Sequence, residues 1–215
     1  MPIADILQFL KDMFLLWTLP KMIRSDNGEP FGATTMDVIP FMSLWLKAWG
    51  IIPVLNRPRR PTDNAQVERA QGTTSRWVEV DKCPDLSVLQ KRLDEACAIQ
   101  REKYIVTRIG NVSRTKLYKN LADDPRPFKL YNFNETYAHE FLATAIMPRK
   151  VNANGVITIY GKPFSVGAIR KGEFLIVKFC PKQIAWLAFE MTGILCKTIH
   201  DPRFNKENLF NLTCQ

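Results

Sequence analysis

The sequence is poor in the side chains that build metal and disulfide frameworks. It has two histidines, His139 and His200, and five scattered cysteines, Cys83, Cys97, Cys180, Cys196 and Cys214. The cysteine number is odd and no Cys-x-x-Cys occurs. A disulfide scaffold and a structural zinc site are therefore not expected, and the thiols read as free groups of a reducing compartment. No apolar run is long enough for a transmembrane helix. The first residues lack a basic segment and carry Asp5, Lys11 and Asp12, so no signal peptide is expected. A cytoplasmic location follows as the expectation, nucleoid-associated in a bacterium. Acidic side chains are also short, 21 Asp+Glu against 30 Lys+Arg, for a net charge of +9. A balance of that sign favours a polyanionic partner, nucleic acid or an anionic surface. The excess is greatest in residues 126–215, with 12 Lys+Arg against 6 Asp+Glu.

What the chain does have is apolar content enough for real cores, 46% hydrophobic residues of which aromatics make up 11% of the chain. Its 215 residues suit one large domain or two small ones. Ile3, Ile6, Leu7, Leu10, Met13, Phe14 and Trp17 recur at helical spacing and predict a first helix ended by Thr18-Leu19-Pro20. A short strand over 21–25 runs into Asp26, followed by the turn dipeptide Asn27-Gly28. A second helix is predicted over 36–49, ended by Gly50, and a strand over 51–55. A third helix runs from Asn64 to about Val80 with Glu68 in its first turns, and a fourth from Pro84-Asp85 to about Tyr104 with Leu86, Leu89, Leu93, Ala96 and Cys97 buried. Residues 105–136 have no period and read as a linker with one helical turn near 115–121. From His139 onward, short alternating runs predict a small β-barrel, with Asn154-Gly155 as the hairpin turn between 143–151 and 156–160. Strands are expected at Phe174–Phe179, Ile184–Phe189 and Ile194–Ile199, with Met191-Thr192-Gly193 as a turn, and the tail from His200 reads as irregular. Trp45, Trp49, Trp77 and Trp186 are assigned to the core, and the two histidines to structural roles.

Asp26 and Glu68 are the candidate functional pair. A carboxylate at a strand end and another at a helix start can share one hard divalent cation, because Mg²⁺ and Mn²⁺ prefer oxygen ligands. Singly, each also has an ordinary reading: a turn residue after a strand, and an exposed helix-start acid favoured by the helix dipole. Their order is more specific. Ile-Arg-Ser-Asp-Asn-Gly-Glu-Pro-Phe around Asp26 resembles the second-carboxylate motif of bacterial insertion-sequence transposases with a retroviral-integrase-type core. Trp-Leu-Lys-Ala-Trp-Gly-Ile, then Pro61-Thr-Asp-Asn-Ala-Gln-Val-Glu-Arg, resembles their third motif. The resemblance covers about residues 3–105 and 139–199. The separation of 42 residues from Asp26 to Glu68 is somewhat longer than the commonest spacing of that family.

The resemblance implies an α/β chain: an incomplete ribonuclease-H-like core over 1–105, a linker over 106–137, a basic SH3-like β-barrel over 138–200 and a tail over 201–215. It implies a three-carboxylate site, called DDE, in which two Mg²⁺ or Mn²⁺ ions activate water or a DNA 3′-hydroxyl and stabilise the entering and leaving oxygens. Asp26 would be the second carboxylate and Glu68 the third, with Asn64 and Arg69 beside the scissile phosphate. The family's first Asp, on a strand that precedes the helix beginning here near Ile3, has no counterpart in the 25 residues before Asp26. Asp5 and Asp12 read as the solvated face of that helix. The expectation is a truncated, catalytically impaired copy with weak metal binding. Arg57, Arg59 and Arg60 are expected to track a DNA backbone, as are Lys150, Lys162, Arg170 and Lys171, with Lys178 and Lys182, on the β-module. The expected partners are DNA (element ends and target) and a further copy or a full-length transposase, with no membrane. Two other readings stay open: an active recombinase subunit completed by another polypeptide, and a non-enzymatic interaction protein that keeps the old fold.

Overall fold

In a computed structural model, residues 2–32, 38–118 and 126–212 are described. Residues 36–37 of the predicted second helix, the end of the helical turn expected near 115–121, and Cys214 lie outside the described residues. The chain is a mixed α/β protein. In chain order its elements are α1 (Ile3–Trp17), β1 (Met22–Ser25), α2 (Phe41–Ala48), β2 (Ile52–Leu55), α3 (Ala65–Val78), α4 (Leu86–Ala98) and α5 (Arg114–Leu117). There follow α6 (Glu135–Leu142), β3 (Met147–Lys150), β4 (Val156–Ile159), β5 (Lys162–Ser165), β6 (Phe174–Cys180), β7 (Ala185–Phe189), β8 (Leu195–His200) and α7 (Lys206–Asn211). The chain divides into two compact units. The first takes residues 1–12, 19–55 and 128–215, and the second takes residues 13–18 and 56–127.

In the first unit β1 and β2 form a parallel pair, Met22 opposite Ile52 and Ser25 opposite Leu55. Helix α2 connects them in sequence, and its end is fixed by a left-handed glycine. Gly50 has φ 67°, its N–H donates to the Lys47 carbonyl at 2.8 Å, and the Ile51 N–H reaches back to the Leu46 carbonyl at 2.9 Å. This Schellman arrangement satisfies carbonyls that the helix end leaves free, and it turns the chain directly into β2. Helix α2 is buried nearly all round, with Leu44, Trp45 and Leu46 fully enclosed. Trp49, just beyond it, sits among Phe128, Phe133 and Phe210 at ring separations of 4.6, 5.2 and 6.1 Å. Large aromatics packed edge to face contribute more than their area alone.

The β-module belongs to this same unit. Strands β3, β6, β7 and β8 make an antiparallel sheet in that order, and β4 and β5 make a separate hairpin. Among the described residues the strands do not close into a barrel. Asn154-Gly155 does not join β3 to β4 as a hairpin. Asn152 Oδ1 accepts from the N–H groups of Asn154 and Val156, which folds the loop on itself, and β3 pairs with the distant β6 instead. The tight hairpin turn is Tyr160-Gly161, both at positive φ (49° and 73°), with Ile159 facing Lys162. The region assigned to strands from His139 opens as a helix. Asn134 caps α6 by accepting from the Thr136 N–H at 3.0 Å, and only residues 147–150 of the predicted 143–151 strand are extended.

Over its described residues, 201–212, the tail is not irregular as expected but forms a 3-10 turn at Pro202–Phe204 and the helix α7. Asn205 caps α7, accepting from the Asn208 N–H at 2.8 Å. Phe204 is fully buried against Tyr160, Phe179 and Trp186 at 5.3, 5.6 and 5.3 Å. The buried Asp201 carboxylate takes hydrogen bonds from Arg203 Nε at 3.0 Å and Nη2 at 2.7 Å. The same guanidinium donates to the carbonyls of Tyr160 at 2.7 Å and Ile159 at 2.9 Å, so it ties the tail to the β4–β5 turn. His139 is buried, and since a carbonyl only accepts, its Nε2–H donates to the Phe204 carbonyl at 2.7 Å.

The second unit is helical. Asp85 caps α4, accepting from the Val88 N–H at 2.9 Å. Helices α3 and α4 meet, but the burial expected along α4 falls mainly on Ala96: Leu86 is 81% exposed, Cys97 is exposed, and Leu89 and Leu93 are half-buried. Trp77 is not core either. It is 40% exposed and lies against Tyr104 at 5.6 Å. Helix α4 gives way to a wider turn over Ile99–Lys103, and α5 falls where a helical turn was expected in the linker, with 3-10 turns at Thr107–Ile109 and Leu130–Asn132 in the same stretch.

Candidate nucleic-acid interface

Asp26 follows the last residue of β1, as a strand-end carboxylate should. It is exposed, and its Oδ1 accepts from the Gly28 N–H at 3.1 Å, the side-chain turn that Asp supports. The turn is tight. The N–H of Gly32 donates to the Gly28 carbonyl at 2.8 Å, and a Cβ on Gly32 would lie 1.9 Å from the Asn27 carbonyl oxygen, so no other residue fits there.

Glu68 lies in the first turn of α3 and is exposed. Asn64 occupies the N-cap position without capping through its side chain, and its carbonyl accepts from the N–H groups of Val67 and Glu68. Arg69 is exposed on the next position of the helix. The loop before α3 is folded rather than loose. Arg57 makes a bidentate pair with Asp63, Nη2–Oδ1 2.7 Å and Nε–Oδ2 3.0 Å, and its backbone N–H also donates to Asp63 Oδ2 at 3.0 Å. That hydrogen-bonded carboxylate raises the Arg57 pKa. Asp63 thus holds Arg57 as a strut, while Arg59, at φ 59°, and Arg60 project as exposed cations with no ion pair among the described residues.

On the β-module the expected cations differ in the same way. Arg170 is bound to Glu190 at 2.8 Å and to Glu173 at 3.1 Å, and hydrogen bonding from Arg170 lowers the Glu190 pKa. Lys150 and Lys162 are exposed, with ammonium groups 5.8 and 6.0 Å from the ring centres of Phe174 and Phe164. Lys171, Lys178 and Lys182 are exposed. The register puts Lys150 and Lys178 on one sheet face, the one opposite the buried Leu175, Val177 and Phe179.

Asn64, Glu68, Arg69 and the arginine loop all fall in the second unit, whereas Asp26 and the β-module fall in the first. Among the described residues no three His, Cys, Asp or Glu side chains come together in a way that could hold a metal ion. Within either unit the described residues do not bring together the carboxylates of a two-metal centre. The sequence reading missed Tyr104, Arg108, Arg114 and Tyr118, which line a cavity together with Arg69. Arg108, Arg114 and Tyr118 lie in the stretch read as a linker, where no hydrophobic period marks them. Among the described residues no helix is long and apolar enough to cross a membrane. No protein-family model matches the chain, and no curated protein matches it.

Proposed function

We propose that this chain is a DNA-binding protein of the transposase and integrase type, with a partial ribonuclease-H-like core and an SH3-like β-module, and that as this polypeptide it does not catalyse strand transfer. The observation that carries the reading is the coincidence of motif and element. Asp26 stands at the end of a strand, that strand runs parallel to β2, the Gly50-Ile51 step between α2 and β2 is a helix-stop into a strand, and Glu68 falls in the first turn of a helix. The exposed Arg59, Arg60, Lys171 and Lys178 supply a sequence-independent grip on phosphates. In this reading Mg²⁺ or Mn²⁺ binds weakly, because among the described residues neither unit brings three carboxylates together.

The test is binding of a labelled duplex of arbitrary sequence, followed across a salt series. Affinity should fall steeply with salt, and Arg59→Ala with Arg60→Ala should make the slope shallower by about 0.9 for each phosphate no longer neutralised. No salt-dependent binding at low ionic strength would leave the interaction-protein reading in its place. Strand-transfer assays in Mg²⁺ or Mn²⁺ should yield no product from this chain alone. The edges of the two-stranded parallel β1–β2 sheet, unpaired among the described residues, favour the second reading, in which another polypeptide supplies strands and the first carboxylate. Product formed only after such a fragment is added would select it.

A further inference from the structure

A cavity of about 530 Å³ lies wholly within the second unit, between α3 and residues 100–118. Helix α3 contributes Arg69 and Thr73, and the following segment contributes Tyr104, Arg108, Arg114 and Tyr118. Among the described residues every charged side chain on its wall is an arginine, and no Asp or Glu lines it. Arg114 is fixed in place, donating from Nη1 to the Gln100 carbonyl at 2.7 Å, while Gln100 Nε2 donates to Thr74 Oγ1 at 2.6 Å. Arg69 and Arg108 are exposed and form no ion pair among the described residues. Guanidinium groups gathered without a counter-charge repel one another, and an anion in the cavity relieves that repulsion. Two aromatic side chains complete the wall: the Tyr104 ring rests against Trp77 at 5.6 Å, and Tyr118 is exposed.

Phosphate-binding arginines with aromatic faces are the two ingredients of single-strand recognition. The size fits that use. A cavity in the range of ordinary ligand pockets holds a nucleotide or two but not a duplex, whose major groove alone is about 12 Å wide. The geometry points to this cavity as a seat for one or two nucleotides of single-stranded DNA, with phosphates on Arg69 and Arg108 and bases against Tyr104 and Tyr118. This rests on the DNA-binding reading above and adds to it a second, strand-selective subsite.

The experiment compares a labelled short oligothymidylate with a labelled duplex, using the full chain and the variants Arg108→Ala, Arg108→Lys and Tyr118→Ala. All three changes are at exposed positions, and circular dichroism confirms that each variant is folded. Arg108→Ala should weaken oligothymidylate binding about tenfold, as expected for a lost hydrogen bond to a charged group. It should also make the salt slope shallower by about 0.7, which Arg108→Lys should not. Tyr118→Ala should weaken it about tenfold with the slope unchanged, the mark of lost stacking. Duplex affinity should stay the same throughout. Oligothymidylate affinity unchanged in both alanine variants, or duplex and single-strand affinity falling together, overturns the assignment while leaving DNA binding intact. Failure of the parent chain to bind either DNA overturns both readings.

Discussion

The residue that most changes the picture of the C-terminal end is Arg203. Its guanidinium closes on the Asp201 carboxylate and on two backbone carbonyls of the β4–β5 turn, and the Asp201 side chain is almost wholly enclosed. Removing one member of such a buried pair costs far more than the pair contributes, because the other is left charged and unpaired. The two members are not equivalent. Without Asp201, Arg203 can still reach its carbonyls and the solvent edge; without Arg203, the enclosed carboxylate has no cation. Arg203→Ala should therefore destabilise by about 3–5 kcal/mol and Asp201→Ala by less, with the double variant costing less than the sum. Urea unfolding midpoints of the three variants check this, and single losses below about 1 kcal/mol would show that the clamp is incidental. None of it is legible in the sequence. Asp-Pro-Arg-Phe has no periodicity, and the carbonyl partners of Arg203 lie more than forty residues away along the chain. Trp77 departs from expectation for the opposite reason. Its place on an apolar helical stripe is plain in the sequence, but α3 meets only a thin partner, so the indole stays partly in water.

At the scale of elements, local signals serve well where one helix or strand is set by its own ends. The Thr18-Leu19-Pro20 stop, the Gly50 stop and the Asp85 cap fall where the sequence places them, but α2 begins only at Phe41, after Pro40, and residues 38–40 of the expected 36–49 helix are not helical. Prediction breaks down where pairing is non-local. Asn154-Gly155 offers hairpin chemistry, but β3 finds β6 across the intervening β4–β5 hairpin. Helix α6 is eight residues long, too short to show its period against the strand signals that follow. The candidate site is legible to the same extent. The strand end at Asp26 and the helix start at Glu68 are local features, whereas the Arg57–Asp63 strut, which pairs one of the expected DNA-facing cations, depends on a folded loop. The two units also differ in how well they are filled. In the second, the buried apolar side chains among the described residues are Phe14, Val78 and Ala96, while the first encloses three tryptophans and much of two sheets. Few buried apolar contacts mean a low free energy of local opening. Amides of α3 and α4 should therefore exchange with deuterium well before those of β6 and β7, and equal protection measured by mass spectrometry would refute the contrast.

For the whole molecule, two surface properties pull in opposite directions. A net charge of +9 keeps copies apart, but the β1–β2 sheet works against it. It has two strands, neither with a second neighbour among the described residues, and Met22, Ile52 and Leu55 are exposed on it. A strand edge of this kind is a template for pairing with another chain unless charge, proline or a bulge blunts it. Pro53 removes one donor from β2, while β1 carries a single exposed charge, Arg24, and no proline. Charge repulsion is screened by salt, whereas edge pairing and apolar contact are not. Self-association should therefore rise with both protein concentration and ionic strength, the reverse of the salt dependence expected for DNA binding. Light scattering should show mass above the monomer in high salt. Met22→Lys with Leu55→Lys should return it to the monomer, since a lysine on the strand brings both charge and hydration to the edge. A parent chain that remains monomeric at high concentration and high salt would show that this sheet needs no further strand.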